Sequence, residues 1–293
     1  MPNRTRPALD KFLPIPPSPT AFEIMINPLK SIDINVYRYT HPRVDPRHQG
    51  FRIAQISDVH LGRWVKPRHM RQVVDFINQR NPDLVALTGD YVGYNHRDLE
   101  PSIATLAGLS TRTVAVLGNH DHWTSTEAAT AAFADADIPL LSNRAMLLDY
   151  NGRPLEIVGV DDEVTNNADA EKAFAEARGD TFCLTLNHAP SIADDLVQRG
   201  AHLVLSGHTH GHQFNIPGIT HRIADTLGVN YHVGAYHIDG SFLYINRGLG
   251  SASWPWRIGA APELTFFELA HGPRARLELL ESDDFGVEHR PDS

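Results

Sequence analysis

Short apolar runs alternate with amphipathic segments along most of the chain. The apolar runs predict strands at 51–56, 84–87, 114–117, 155–160, 182–186 and 203–205. The segments between them predict helices near 67–80, 99–109, 126–137, 168–178 and 191–199. Strands that are apolar throughout and are joined by helices are typical of a sheet that is covered on both faces. The pattern therefore predicts an α/β fold.

The two ends of the chain follow other patterns. Residues 1–50 contain a proline-rich arm, one or two half-buried strands within 21–40, and a linker at 41–50. Beyond Gly211 the candidate elements are strands, at 231–237, 242–246 and 264–269. We expect three regions: the arm and its strands at 1–50, a main domain at 51–270, and a terminal strand with an acidic tail at 271–293. Within the last region, 281–293 is predicted as a loose tail.

Composition excludes several classes of protein. The chain has 293 residues, of which 42% are hydrophobic, and this is enough for a buried core. Its formal net charge is −9 and no basic run is present, so no specific nucleic-acid binding is expected. The single cysteine, Cys183, cannot form an intramolecular disulfide and is expected to be buried. We find no apolar run of membrane-spanning length and no apolar signal core, so a cytoplasmic location is the default prediction.

Five of the predicted strands end in residue types that ligate metals. The segments are Ser57-Asp58-Val59-His60, Thr88-Gly89-Asp90, Gly118-Asn119-His120-Asp121, Asn187-His188 and Ser206-Gly207-His208-Thr209-His210. Any one of them has an ordinary explanation as a helix cap, a turn or a core histidine. Five such strand ends in one chain favour a shared site, because sites in α/β sheets form at the carboxyl ends of strands.

The spacing and number of these residues indicate two metal ions. Asp58 and His60 are separated by one residue, as are His208 and His210, and on an extended backbone each pair would project to one side. The candidate ligands are Asp58, His60, Asp90, Asn119, His188, His208 and His210. Seven ligands are too many for one tetrahedral ion. A mixed oxygen and imidazole set favours Mn, Fe, Zn or Co over Ca or Mg, and we favour manganese. A pair of such ions suits phosphoester hydrolysis.

In this order, the motifs Asp-x-His, Gly-Asp, Gly-Asn-His-Asp, an isolated His and Gly-His-Thr-His resemble the calcineurin-like metallophosphoesterase superfamily. The resemblance covers about residues 51–270. Within the superfamily the chain is most similar to the small bacterial phosphodiesterases of the YkuE and YaeI type, including the segments at 246–250 and 262–264. The resemblance implies a four-layer αββα sandwich of the metallophosphoesterase type. It also implies a dinuclear centre that hydrolyses a phosphodiester or pyrophosphate bond.

The resemblance further implies a role for each candidate residue. One metal would be held by Asp58, His60 and His210. The other would be held by Asn119, His188 and His208, with Asp90 bridging both. His120 would be the general acid, protonating the leaving oxygen while a hydroxide that bridges the metals attacks in line.

Departures from the family pattern narrow the substrate. Gly93 and Tyr94 stand where the protein phosphatases of this superfamily have a further Asp and a phosphate-binding Arg, so a phosphoprotein substrate is disfavoured. His120 stands where the main lipid A precursor hydrolases have Arg. The acidic charge balance disfavours the repair nucleases. A small phosphoester or nucleotide-type substrate is expected.

Two alternative functions stay open. The first is a membrane-associated UDP-diacylglucosamine pyrophosphatase on the inner face of the membrane. It is suggested by the tryptophan pair Trp254 and Trp256 and by the apolar residues within 12–26, and some similar proteins cleave that pyrophosphate. The second, from another class, is a non-catalytic metal-containing binding module, which the complete ligand set disfavours.

Four residues near the predicted site have two interpretations each. Trp254 and Trp256 are expected in the core, and the alternative is an amphipathic lip for a lipid or nucleoside. His212 is expected on the surface, and the alternative is a donor to a metal ligand. Arg247 would either bind phosphate or bridge carboxylates within the fold, and the sequence favours neither.

Overall fold

The computed structural model describes residues 12–13, 31–216, 219–226, 229–251, 254 and 256–286. The strands in them are β1 (Phe12–Leu13), β2 (Ile32–His41), β3 (Arg52–Ile56), β4 (Leu84–Thr88), β5 (Thr113–Val116), β6 (Arg144–Tyr150), β7 (Arg153–Val160), β8 (Cys183–Asn187), β9 (Leu203–Ser206), β10 (Gly234–Ile238), β11 (Ser241–Ile245), β12 (Glu263–His271) and β13 (Arg276–Phe285). The α-helices are α1 (Pro67–Arg80), α2 (Leu99–Leu106), α3 (Asn119–Asp135), α4 (Ala170–Ala175), α5 (Ala193–Gln198) and α6 (Thr220–Thr226).

The strands form two mixed sheets. The first has the order β13-β2-β12-β3-β4-β5, in which β3, β4 and β5 are parallel and β12 runs antiparallel to β3. The second has the order β1-β10-β11-β9-β8-β7-β6, with β7, β8, β9 and β11 parallel. Parallel neighbours need crossover connections, which are usually helices. The alternation of strands and helices predicted between 51 and 205 is therefore confirmed.

Three apolar clusters separate the layers. Helices α1, α2 and α3 cover the outer face of the first sheet, where Val73 of α1 and Ile56 of β3 belong to one cluster. The two sheets face each other across a second cluster that includes Ile53 and Leu184. Helices α4 and α5 cover the second sheet in the third cluster, which also holds the buried Cys183. The order helix, sheet, sheet, helix confirms the predicted four-layer αββα sandwich.

Helix α1 shows how the local sequence sets an element. Pro67 occupies its first turn, where the fixed φ suits a helix and no backbone donor is lost. Met70, Val73 and Ile77 recur at helical spacing and are buried. The helix ends where Asn81 turns left-handed with φ 47°. The predicted bounds 67–80 are those of the structure.

Three element predictions are corrected. Residues 41–50 are not an open linker, because Val44 and His48 are buried and 46–48 forms a 3-10 helix. Helix α3 begins at Asn119 instead of near 126, because a non-helical Ser125 joins two helical segments. Residues 281–285, three of which are acidic, belong to β13, which pairs with β2, and are not a loose tail. As β13 is an edge strand, its outward charged side chains stay in solvent.

The described residues include only part of the segments predicted at the two chain ends. Within the predicted arm the structure describes the backbone of β1, which pairs with β10. The remainder of 1–30 and residues 287–293 lie outside the described residues. The boundaries 1–50, 51–270 and 271–293 stay predictions.

A buried ionic network connects the two sheets near the end of β11. The Arg247 guanidinium donates from Nε to Glu263 Oε2 at 2.9 Å and from Nη2 to Asp33 Oδ2 at 3.0 Å. Arg247 follows β11 of the second sheet, whereas Glu263 and Asp33 belong to β12 and β2 of the first. Burial by itself would raise the pKa of Glu263, but the charge of Arg247 holds it below its usual value. The structure thus places Arg247 as a bridge between carboxylates.

We expect Arg247→Met to lower the free energy of unfolding by about 3–5 kcal/mol, because two buried carboxylates would lose their counter-charge. Urea unfolding of the two proteins measures the difference. The control is Arg199→Met, which removes an exposed i,i+4 pair with Asp195 and should cause no measurable loss. Equal losses in both variants would contradict the role given to Arg247.

Candidate metal centre

The residues predicted for the site lie at the carboxyl ends of strands from both sheets. Asp58 and His60 follow β3, and Asp90 follows β4. Asn119 and His120 begin α3, directly after β5. His188 follows β8, and the 3-10 turn with His210 follows β9. All of them, together with His208, lie in one cluster.

Three of these residues form the first half of the cluster. The Nε2 atoms of His60 and His210 lie 3.0 Å apart. Asp58 Oδ1 lies 3.3 Å from His210 Nε2 and 3.8 Å from His60 Nε2. One ligand atom from each residue lies within 4.8 Å of the others, which is a spacing that a single cation can span.

Asp90 lies between this group and the second half of the cluster. Its Oδ2 is 3.5 Å from His60 Nε2 and 3.3 Å from His188 Nε2. On the far side, the His208 ring is 5.2 Å from the His188 ring, and His208 Nδ1 is 2.9 Å from Asn119 Oδ1. Asp90 Oδ2 thus lies within 3.5 Å of an imidazole nitrogen in each half of the cluster. Asp58 also lies near both halves, because its carboxylate accepts the backbone N–H of His208 at 3.1 Å.

Backbone carbonyls orient two of the imidazoles. His60 Nδ1 donates to Val92 O at 3.2 Å, and His188 Nδ1 donates to Thr88 O at 2.7 Å. Since a carbonyl can only accept, the Nε2 atom of each ring faces the cluster. His188 Nε2 is buried and has no hydrogen-bond partner among the described residues. A buried polar atom of this kind, facing a carboxylate, fits a metal ligand.

Charge in the cluster also fits a cation. Burial by itself would raise the pKa values of Asp58 and Asp90, but nearby histidines, chiefly His210 and His188 respectively, hold both below the usual range. Burial would likewise lower the pKa of His188, yet Asp90 outweighs it and raises that pKa to about 10. Asp90 therefore favours positive charge at His188, and a bound metal ion would supply such charge.

Five of the seven candidate ligands sit on tight left-handed turns. The φ angles are 49° at Asp58, 44° at His60, 58° at Asp90, 69° at His208 and 52° at His210. Residues other than glycine rarely adopt this conformation, and such strain is found at functional sites. The expectation that each pair projects from an extended backbone is wrong. These five candidate ligands reach the cluster because the chain turns sharply after β3, β4 and β9.

Glycine allows these turns to approach one another. A Cβ on Gly118 would overlap the Asp90 carboxylate, and a Cβ on Gly207 would overlap Ser57 and the Asp58 carboxylate. Both positions therefore require a residue without a side chain if the carboxylates are to keep their places.

His120 lies beside the first half of the cluster. Its ring is 4.8 Å from the His60 ring, and its backbone N–H donates to Asp90 Oδ1 at 2.9 Å. Nδ1 donates to the Gly93 carbonyl at 2.6 Å, which leaves Nε2 as the exchangeable atom of the ring. Burial lowers the pKa of His120 below its usual value, although the charge of Asp90 opposes this.

Asp121 ends the motif Gly118-Asn119-His120-Asp121, but the sequence alone did not indicate its role. Its carboxylate accepts backbone N–H groups from Asp90, Tyr91 and Gly118, each at 2.9 Å. These bonds join the turn after β4 to the turn after β5, and so position Asp90 relative to Asn119. The sequence feature that could have pointed to Asp121 is its position directly after Asn119 and His120.

Arg257 is a second residue that sequence reasoning missed. Its buried guanidinium donates to the carbonyls of Arg247 and Ala260, and lies 3.2 Å from His210 Nδ1. Burial lowers its pKa to about 9. It places positive charge on the outer side of His210. In the sequence Arg257 simply follows the pair Trp254 and Trp256, and nothing in this local pattern indicates that its side chain is buried.

The prediction that Trp254 and Trp256 pack in the core is wrong. Their side chains are 60% and 43% exposed. Gln213 Nε2 donates to both backbone carbonyls, at 2.7 and 2.8 Å, so the segment is held by its backbone while its rings face outward. His212 is half-buried, and its Nε2 lies 2.8 Å from His232 Nδ1. It contacts a second imidazole instead of standing alone on the surface.

The chain matches the family model of calcineurin-like phosphoesterases over residues 51–212. It belongs to this family. It is 31% identical over 226 residues to the metallophosphoesterase YkuE of Bacillus subtilis, covering 75% of this chain and 79% of YkuE. It is 28% identical over 226 residues to phosphodiesterase YaeI of Escherichia coli, covering 75% and 82%. The resemblance stated from the motifs is confirmed, and the chain is a metal-dependent phosphoric ester hydrolase.

A hydrogen-bonded pair ties the start of α3 in this phosphoesterase to the second sheet. His122 Nε2 lies 2.7 Å from Asp161 Oδ1, and Asp161 directly follows β7. Ser142 donates to the other oxygen of Asp161. Burial opposes both charges, but Asp161 raises the pKa of His122, while His122 and Ser142 lower the pKa of Asp161. The pair holds the helical turn that carries Asn119.

We expect Asp161→Asn to lower the free energy of unfolding by about 1–2 kcal/mol near pH 5.5, since a charged hydrogen bond is lost. The raised pKa of His122 gives stability that is full below its unfolded value of about 6.5 and is lost as pH rises. The lowered pKa of Asp161 gives stability that is present above about pH 4 and is lost on acidification. Urea unfolding at pH 5.5 and pH 9 should show the smaller difference at pH 9. A difference that does not change with pH would contradict the ion pair.

Proposed function

We propose that this phosphoesterase hydrolyses a phosphodiester or pyrophosphate bond by using two divalent metal ions. The observation that carries the proposal is the position of Asp90, whose carboxylate lies within 3.5 Å of His60 and 3.3 Å of His188. One ion would be held by Asp58, His60 and His210, and the other by Asn119, His188 and His208. Asp90 would be shared between them.

The donor set supports transition metals. Imidazole suits Mn, Fe, Zn and Co, while the carboxylates and the Asn119 amide oxygen add harder ligands, and we favour manganese. When bound, the two ions would lower the pKa of water and withdraw charge from the phosphoryl oxygens. The buried carboxylates would keep the ions in place next to the cavity that His60 lines.

His120 is proposed as the general acid for the leaving oxygen. The Gly93 carbonyl fixes the proton on Nδ1, so Nε2 is the atom that can give a proton to the substrate. Nε2 carries that proton only when the ring is a cation, and the lowered pKa of His120 makes this cation a stronger acid. Attack would come from the side of the phosphorus opposite to the leaving oxygen, so that the two groups are in line.

We expect His120→Ala to lower kcat by about 10²–10⁴-fold for a diester with an alkyl leaving group, the range typical of general acids. The loss should be smaller for bis-p-nitrophenyl phosphate, because p-nitrophenolate leaves without protonation. Both assays use added manganese, with metal content measured by plasma mass spectrometry. Metal content should be kept in His120→Ala.

The matched control is Asp90→Asn, which should reduce metal content and activity on both diesters. Loss of both metals in His120→Ala, or equal losses on the two diesters, would overturn the role of His120. No turnover by the parent protein with Mn, Fe, Zn or Co would favour the non-catalytic binding module instead.

A second candidate is a nucleolipid pyrophosphatase such as one acting on UDP-diacylglucosamine at the membrane face. The exposed pair Trp254 and Trp256 favours it, because amphipathic rings suit the boundary between water and lipid. Phe214, Ile216 and Ile219 are also exposed. None of the helices in the described part of the chain has the length and apolarity needed to cross a membrane. Cytoplasmic and peripheral locations both stay predictions.

For this candidate we expect the parent protein to co-sediment with vesicles of anionic phospholipid. A double variant, Trp254→Ala with Trp256→Ala, should stay in the supernatant, because the exposed rings would no longer enter the interface. Activity on bis-p-nitrophenyl phosphate serves as the control for folding. A parent protein that does not sediment would discard the membrane contact.

A further inference from the structure

A second cavity lies at the opposite end of the sandwich from the metal cluster. Its volume is about 550 Å³, and we call it the arginine cleft because its wall includes the basic side chains Arg43, Arg153, Arg178 and His48. Phe182, also in the wall, directly precedes β8, whereas His188 of the cluster directly follows β8. Six residues of extended strand span about 20 Å. The cleft is therefore remote from the metal centre.

The arginine cleft is positively charged although the chain as a whole is acidic. The formal net charge of the chain is −9, yet the described wall holds the three arginines against two carboxylates, Asp45 and Asp180. Each carboxylate pairs with one arginine. Arg153 Nε lies 3.5 Å from Asp45 Oδ2, and Arg178 Nε lies 3.2 Å from Asp180 Oδ1. The positive charge that is left over suits an anionic ligand.

The arginines keep donors for such a ligand. A guanidinium has five N–H groups, and among the described contacts these pairs engage one nitrogen of Arg153 and two of Arg178. Arg43 is exposed and takes part in none of the ion pairs between described residues. Exposed ion pairs are weak, so Arg153 and Arg178 are able to turn toward a ligand. Guanidinium groups match the geometry of phosphate oxygens.

His48 adds a hydrogen-bond acceptor to the wall. It is only 1% exposed, and its Nε2 donates to the Arg153 carbonyl at 3.2 Å. With the proton on Nε2, Nδ1 accepts and does not donate. Nδ1 is buried and has no hydrogen-bond partner among the described residues. Because a buried acceptor without a donor is costly, a ligand that brings a hydroxyl to this wall would gain affinity.

We propose that the arginine cleft binds a phosphate group that carries a hydroxyl. The phosphate oxygens would accept hydrogen bonds from Arg43, Arg153 and Arg178, and the hydroxyl would donate to His48 Nδ1. Hydrogen phosphate has both features, since it carries one P–OH beside its charged oxygens. A hydroxylated monoester such as glycerol 3-phosphate has them as well. Sulfate has a similar charge and shape but no hydroxyl.

Hydrogen–deuterium exchange, read by mass spectrometry, tests the cleft in the manganese-loaded protein at pH 8. Phosphate and sulfate are titrated at equal ionic strength, and exchange is followed in segments 43–48 and 178–182. We expect phosphate to slow exchange there at about tenfold lower concentration than sulfate, because sulfate leaves the His48 acceptor unpaired. Phosphate at the metal centre would slow exchange at 58–60 and 118–121 instead, so the two sites are read separately.

Variants test the residues of the cleft. Arg43→Gln combined with Arg153→Gln should raise the phosphate concentration needed to protect 43–48 by about tenfold or more, and should leave 58–60 unchanged. The matched control is Arg199→Gln, which removes an exposed arginine paired with Asp195 and should change neither segment. His48→Gln should reduce the preference for phosphate over sulfate, because an amide donates as well as accepts. If His48→Gln does not fold, the comparison of the two anions in the parent protein still decides the outcome.

Glycerol 3-phosphate distinguishes the two sources of the phosphate group. Protection of the cleft at a lower concentration than that of phosphate would support a hydroxylated monoester, and protection at a higher concentration would support the free ion. Equal protection by phosphate and sulfate would overturn the proposal, as would protection that survives the double arginine variant. Absence of protection at 43–48 and 178–182 with every anion would also overturn it. These results do not depend on hydrolysis, so failure of the proposed function would be recognised separately in the diester assay.

Discussion

Two buried carboxylates, Asp58 and Asp90, are the constraint on which the rest of the site depends. Charges removed from water are costly unless opposite charge lies beside them. Here the neighbours are imidazoles, and a cation bound between them would supply the opposite charge. The left-handed turns, the glycines that let them approach and the three backbone bonds to Asp121 all hold these carboxylates in place. The strained turns therefore serve to hold the two carboxylates side by side.

Because the ligands come from both sheets, the site exists only while the sheets keep their relative position. The apolar cluster between them supplies contact area but little direction. Direction comes from polar connections between the layers, among them the Arg247 network on one side and the His122–Asp161 pair on the other. Each connects the first sheet, or a helix packed on it, to a residue that follows a strand of the second sheet. Hydrogen-bonded charges depend on geometry, so they resist sliding of the sheets.

The candidate metal ligands lie at the ends of strands, whereas exposed side chains such as Tyr94 and Arg63 lie on the turns beyond them. Tyr94, Trp123 and Arg63 are exposed, so their replacement would leave the core unchanged. In many enzymes a rigid scaffold positions exposed turns, and these turns contact the substrate.

The order of strands, helices and metal-ligand motifs along the chain was enough to predict the four-layer sandwich and the seven candidate ligands. Apolar periodicity and strand-end chemistry are local signals, and for helix α1 they set even the bounds. Other features arise from contacts between residues far apart in sequence, and no local pattern contains them. The tertiary structure alone decided that Trp254 and Trp256 face outward, that Arg247 bridges Glu263 and Asp33, and that residues 281–285 pair with β2. Burial and ionic partners depend on which surfaces meet when the two sheets pack.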